Sequence, residues 1–136
     1  MQSEELQRLL DESPLHVTLG LRATGGAGRG PGGEGVVLEA APNRTHSVDG
    51  GDYLHGGVIA TLLDTAATFA LIEKTGEDWS TVDLRVDYLR PAPISRLCVT
   101  GRALQVGRRL GRAIAELSEP QSGDLLASAV GTFVRS

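Results

Sequence analysis

Residues 56–74 constrain this chain more than any other stretch. Apolar side chains recur there at helical spacing, with Ile59, Leu63, Ala66 and Ala70 along one face, and Gly76 ends the run. The apolar stretch 58–72 is interrupted by Thr61, Asp64, Thr65 and Thr68, so it falls short of an uninterrupted membrane span and reads as a buried helix. Such a helix needs apolar surface to lie against. Four strand-like runs supply it, roughly 80–90, 96–106, 110–119 and 125–135, separated by Pro91-Ala92-Pro93, Gly107 and Gln121-Ser122-Gly123. The pattern predicts an α+β domain in which one antiparallel sheet wraps around a long central helix. On the last strand, Ala127, Ala129 and Gly131 share a face and are expected to let the helix approach closely.

Ahead of the helix the chain carries leucines at helical spacing over 4–11. They predict a short amphipathic helix within 1–13 that caps the domain before Ser13-Pro14 breaks the pattern. Residues 15–23 then alternate strictly, with Leu15, Val17, Leu19, Leu21 and Ala23 on one face, which predicts a half-buried strand. A second strand is expected over 35–40, giving the order helix, two strands, long helix, four strands. Between the two strands, Gly28-x-Gly30-x-x-Gly33 formally matches a dinucleotide fingerprint. That motif must open a helix whose N-terminus receives a pyrophosphate, whereas here Pro31 intervenes and a strand follows, so 24–34 reads as a hairpin loop.

At 136 residues the chain is the size of one domain, 1–136, and aromatics at 4% leave Leu, Val, Ile and Ala to build the core. A net charge of -4 lacks the basic footprint a nucleic-acid binder needs. The acidic, polar N-terminus has neither the basic start nor the apolar stretch of a secretory signal, and no membrane partner is expected. The single cysteine, Cys98, cannot form an internal disulfide and suits a reducing cytoplasm; within a β-like run it reads as a small core hydrophobe rather than a nucleophile.

Chemistry concentrates at the helix. Gly56 and Gly57 after His55 would let a ligand approach the free N–H groups of a helix start, whose partial positive charge suits a carbonyl oxygen that becomes negative during attack. Asp64, eight residues on, falls on about the same side of the helix as Gly56. Among Leu63, Ala66 and Ala67 its carboxylate is costly to ionise, which would make it a stronger base. Thr68, one turn later, could bond that carboxylate or an attacking water. The bland readings are an Asp on the polar side of the helix and a turn histidine satisfied by backbone. His16 and His46 show no metal-ligand spacing with His55.

Taken together, His55-Gly56-Gly57-x6-Asp64-Thr65-x2-Thr68 and then Val82-Asp83-Leu84-Arg85-Val86-Asp87-Tyr88-Leu89-Arg90-Pro91-Ala92 resemble the hot-dog thioesterases of the phenylacetate-pathway type and their human relatives, from about residue 15 onward. The resemblance implies hydrolysis of an acyl-CoA to free acid and CoA with no metal or redox cofactor. It implies that Gly56 donates its N–H to the thioester oxygen, that Asp64 is general base or nucleophile, and that His55 orients the carbonyl. Family members usually hold Asn or Gln six residues before the His, and some use a Ser or Thr on the next strand to assist the water; Asp49 and Thr81 stand at those positions here. An ionised Asp49 cannot donate a hydrogen bond, so it either positions water differently or repels Asp64. Coenzyme A carries phosphates, for which Arg90, Arg108 and Arg109 are the candidate cations. The resemblance also implies dimers joined sheet edge to sheet edge, often paired into tetramers, with each site between protomers. The competing readings are a hot-dog hydratase or dehydratase using His55 with Asp64, and a non-catalytic acyl-CoA-binding module.

Overall fold

The structure, a computed structural model, describes residues 1, 3–24 and 35–136; the Gly28-x-Gly30-x-x-Gly33 motif lies outside the described residues. Helix α1 (Ser3–Leu10) turns Leu6 and Leu10 into the core. It is tied to the following chain by Gln7, whose amide donates to Leu21 O at 3.0 Å and accepts from Ala23 N–H at 2.7 Å.

The strand expected over 15–23 is instead mostly helix. Helix α2 (Pro14–Thr18) begins at the proline read as a break, because proline suits a first helical turn where its missing N–H costs nothing. Val17 N–H bonds Ser13 O and Leu19 N–H bonds Leu15 O, which leaves Leu15 and Val17 about half exposed. A turn at Gly20, in the left-handed region with φ 62°, then sends Leu21 inward, and only β1 (Arg22–Ala23) joins the sheet. Strand β2 (Val36–Ala40) follows with Val36, Leu38 and Ala40 buried in alternation.

The remainder follows the sequence closely. Helix α3 (Gly56–Thr75) is closed by Gly76, whose φ of 72° provides the left-handed cap, and strands β3 (Trp79–Tyr88), β4 (Leu97–Val106), β5 (Leu110–Ser118) and β6 (Leu125–Arg135) come after it. The six strands form one antiparallel sheet in the order β1-β2-β4-β5-β6-β3, and α3 packs against five of them. This is the hot-dog architecture, with α3 as its core helix. The closest helix-to-sheet approach is on β4 rather than on β6: a Cβ at Gly101 would stand 2.1 Å from Ala66 O, so only glycine admits the helix backbone there. Ala127 and Ala129 are buried inward as expected, but a Cβ at Gly131 would meet the Phe133 ring and Asp83 O, so that glycine makes room for Phe133 and β3.

Cys98 is likewise not a core residue. It is partly buried between fully buried Leu97 and Val99, hence on the face of the sheet away from α3. Burial pushes its thiol up from the ordinary range, a hydrogen bond with Ser118 pulls the other way, and the charge of Glu39 raises it further.

Candidate active site

Two elements build the site, the N-terminal half of α3 and the edge strand β3 that runs beside it. A helix start has four backbone N–H groups without helical partners. Here His55 donates to His46 O and Val58 to His55 O, both at 2.9 Å, and Gly57 donates to His55 Nδ1 at 2.8 Å. The fourth, on Gly56, has no hydrogen-bond partner among the described residues. The helix therefore presents one free donor, at the residue the sequence singles out.

The two glycines do different work. A Cβ at Gly57 would lie 3.1 Å from the His55 ring, so Gly57 is what lets the imidazole fold back as a cap. At Gly56 a Cβ would meet only the Tyr88 ring at 3.6 Å, an ordinary contact, so the residue's use is the reach it gives to its own N–H. Tyr88 also donates its hydroxyl to Gly56 O at 2.8 Å and so fixes the first turn to the end of β3. Because His55 Nδ1 accepts a hydrogen bond from Gly57 N–H, the ring's own proton sits on Nε2. His55 is exposed and can thus donate from Nε2 but has no lone pair there.

Asp64 faces the same strand two turns on. Thr81 Oγ1 donates to its Oδ1 at 2.7 Å, and the carboxylate is partly buried. Its apolar sequence neighbours Leu63, Ala66 and Ala67 point elsewhere around the helix, as the turn of 100° per residue requires, and Asp64 instead lies along a polar stripe with Gly57, Thr61 and Thr68. Thr68 does not reach the carboxylate; its hydroxyl donates to Asp64 O at 2.7 Å, the commonplace bond of a helical threonine to the preceding turn. Eight residues of helix put Asp64 about 12 Å along the axis from Gly56.

Asp49 sits in the exposed loop before the helix and accepts from Gly51 N–H at 2.9 Å, closing a turn of its own backbone with no bond to Asp64. The three arginines are split. Arg90 lies beyond β3 near the helix start and is ion-paired with Asp124 at 3.6 Å. Arg108 and Arg109 occupy the β4–β5 turn at the opposite end of α3, so within one chain the three do not converge on one phosphate. His46 is buried, its Nδ1 accepting from Asn43 N–H at 3.0 Å, and His16 bonds Leu10 O at 3.0 Å. Among the described residues no three His, Cys, Asp or Glu side chains gather as a metal site.

Sequence reasoning missed the groove next to Gly56. Val48, Tyr53, Leu54, Ile59, Tyr88 and Leu89 contribute to its lining, with Arg90 at its edge, and it holds about 510 Å³. Its residues come from three separate segments, and only the Tyr88-to-Pro91 run carried a signal.

A sheet wrapped around a long central helix, with the open start of that helix beside an edge strand, defines a hot-dog protein. Residues 51–121 match the thioesterase superfamily, and the chain belongs to that superfamily. It is similar to the medium/long-chain acyl-CoA thioesterase YigI of Salmonella typhimurium, 38% identical over an alignment 97 positions long that covers 60% of this chain and 61% of the relative. The match thus spans about three fifths of the length of that curated relative. A solved structure from the thioesterase superfamily is 31% identical with a TM-score of 0.86, covering 97% of this chain and 96% of the other. The E. coli PaaI protein from the phenylacetic acid degradation operon shares the fold, with a TM-score of 0.81 at 19% identity over 100% of this chain and 96% of that one.

Proposed function

We propose that this chain is a cytoplasmic, single-domain acyl-CoA thioesterase, releasing CoA and a free acid from a small or medium acyl-CoA, phenylacetyl-type esters among the candidates, without a metal or redox cofactor. The observation that carries the proposal is the unpaired Gly56 N–H at the start of α3. In this reading Gly56 N–H and His55 Nε2–H take the thioester oxygen, where negative charge develops as the carbonyl is attacked. Asp64 removes a proton from the attacking water, or attacks the carbonyl itself, with Thr81 holding the carboxylate in place. The tetrahedral intermediate then collapses with CoA leaving as thiolate, which gives the free acid directly on the first route; on the second it leaves an anhydride between the acyl group and Asp64, which a water must then hydrolyse to release the acid and regenerate the carboxylate. Asp49 and Thr68 take at most supporting parts, and Arg90, Arg108 and Arg109 are separate candidates for the nucleotide phosphates.

The His55 tautomer favours hydrolysis over hydration. A hydratase needs a histidine that accepts a proton, and with Nε2 already protonated His55 could accept one only at Nδ1, at the cost of the helix cap. A second copy of the chain is part of the proposal. Gly56 and Asp64 of one chain stand about 12 Å apart along α3, whereas reacting atoms approach to roughly 3–3.5 Å. Strand β3, which bears on both, is a sheet edge paired on one side only, and edge strands invite pairing with another chain. Dimerisation through β3, with or without further pairing into a tetramer, would let Gly56 of one protomer and Asp64 of its partner share a site.

The test is CoA release from acetyl, medium-chain, phenylacetyl and hydroxybenzoyl thioesters, with a blank for Cys98 and with Asp64→Asn alongside. Turnover should fall by about two to four orders of magnitude in the variant, the scale for losing a positioned base. No turnover on any ester would move the binding-module reading to first place, and turnover indifferent to Asp64 would overturn the site.

A further inference from the structure

Two side chains of β3 bond α3 although their spacing in the sequence forbids it for a regular strand. Thr81 reaches Asp64 at 2.7 Å and Tyr88 reaches Gly56 O at 2.8 Å, yet they stand an odd number of residues apart, which in an even pleat puts them on opposite faces. The pleat is not even. The pairing of β3 with β6 slips between Thr81, opposite Phe133, and Asp83, opposite Thr132, so an extra residue is taken up at Val82. Before the slip Trp79 and Thr81 face the helix, and after it Leu84, Val86 and Tyr88 do. A bulge of this kind re-aims the side chains of a strand, and on edge strands it recurs beside functional sites.

Tyr88 holds the part of the helix least able to hold itself. Gly56 and Gly57 have no side chains to pack, and glycine has the widest backbone freedom of any residue. The cap bonds around them run through His55, which donates to His46 O, receives Val58 N–H on its carbonyl and receives Gly57 N–H on its ring. Among the described residues Tyr88 is the one side chain of the sheet that bonds this turn. It is 54% exposed, so its ring is not spent on the core, and one partly exposed hydrogen bond adds little to global stability. Its effect is local. The unpaired Gly56 N–H is aimed only by what holds its own residue, and a donor stabilises developing charge to the extent that it is aimed beforehand.

We propose that Tyr88 is a positioning residue for the reaction: by clamping Gly56 O it sets the direction of the Gly56 N–H, and the slip at Val82 lets the same strand hold the Asp64 carboxylate through Thr81. The inference rests on the thioesterase reading, which supplies the oxygen at which that N–H is aimed. In that reading the Gly56 and Asp64 held by one β3 serve different sites of the dimer, so the strand registers both.

The experiment compares wild type with Tyr88→Phe by kinetics and by amide ¹⁵N relaxation. On an ester that the wild type turns over, kcat should fall by about ten-fold with KM within about two-fold, since transition-state stabilisation is weakened and substrate binding is not. A merely structural role would lower Tm and leave kcat per folded molecule unchanged. Relaxation reads the clamp without substrate: order parameters at Gly56 and Gly57 should drop from the rigid range near about 0.85 toward about 0.6. Unchanged kcat, or a raised KM with kcat kept, overturns the proposal. So does a lower kcat with both amides as rigid as before, which would put the hydroxyl on the substrate itself. Loosened amides in the variant, with no ester hydrolysed by the wild type, leave the clamp standing and sink the thioesterase reading instead.

Discussion

The two ends of α3 are built from the same kinds of parts and left in opposite states. At the C-terminal end Gly76 N–H closes on Ile72 O at 2.7 Å, and Thr75 Oγ1 donates to Leu71 O while accepting from Trp79 Nε1 at 2.9 Å. The Arg135 guanidinium lies 4.6 Å over the Trp79 ring, donates to Gly107 O and pairs with Glu77. At the N-terminal end one backbone donor is unpaired, a histidine caps with one nitrogen and offers the other to solvent, and an apolar groove lies open. Both ends are pinned to β3, by Trp79 at one and Tyr88 at the other. A helix can thus be anchored at one end by packing and side-chain bonds while the free donor at the other is kept for a ligand, and stability and activity should separate along its length.

The strongest attack on that separation is Trp79→Ala. Trp79 is almost fully buried, so its truncation should cost about 3–5 kcal/mol and lower Tm by roughly 10 °C or more. Activity per folded molecule should change by less than about two-fold, since distant sites act independently. An equal loss of both would mean that the ends are coupled. Next in size is His55, where two variants divide the residue's duties. His55→Ala should lose about 1 kcal/mol of cap stability, whereas His55→Asn keeps a capping side chain and should melt near wild type. Both lose the Nε2–H donor, and both should lower kcat by about two to three orders of magnitude. Activity retained in the Asn variant would reduce His55 to a cap. Tyr88→Phe is milder: one hydrogen bond, about 0.5–1.5 kcal/mol, read by thermal melts with the ring still covering Gly56.

The same contrast explains what could be read in the sequence. Strands β3 to β6 were legible because each alternates and each is bounded by a turn signal, and α3 because its periodicity runs for five turns into Gly76. Leu15 to Ala23 misled for a reason of scale: five residues of helix also display alternating leucine and valine, and the proline that begins α2 looks the same as one that ends α1. His55, Gly56 and Asp64 stood out by type and spacing along one helix. Which threonine reaches Asp64 did not, because Thr68 is near in sequence and Thr81 is near only once β3 lies alongside. The groove and the close approach at Gly101 depend on segments far apart in the chain, and no local pattern encodes them.

Cys98 gives the smallest effect and the cleanest check that chemistry stays at the helix start. Its β4 position puts it on the outer face of the sheet, with the helix and every candidate catalytic group on the other side. Desolvation raises its thiol above the ordinary range and nearby Glu39 adds to that, so at neutral pH the folded protein holds less thiolate than a free cysteine would. Alkylation by iodoacetamide should therefore be slower than for a small thiol at pH 7.5, with its rise in rate displaced to higher pH, and unfolding should abolish the difference. Cys98→Ser should leave CoA release unchanged. Rapid labelling of the native protein at neutral pH, or turnover lost with the thiol, would place reactivity on the wrong face of the sheet and dissolve the division between the two ends of α3.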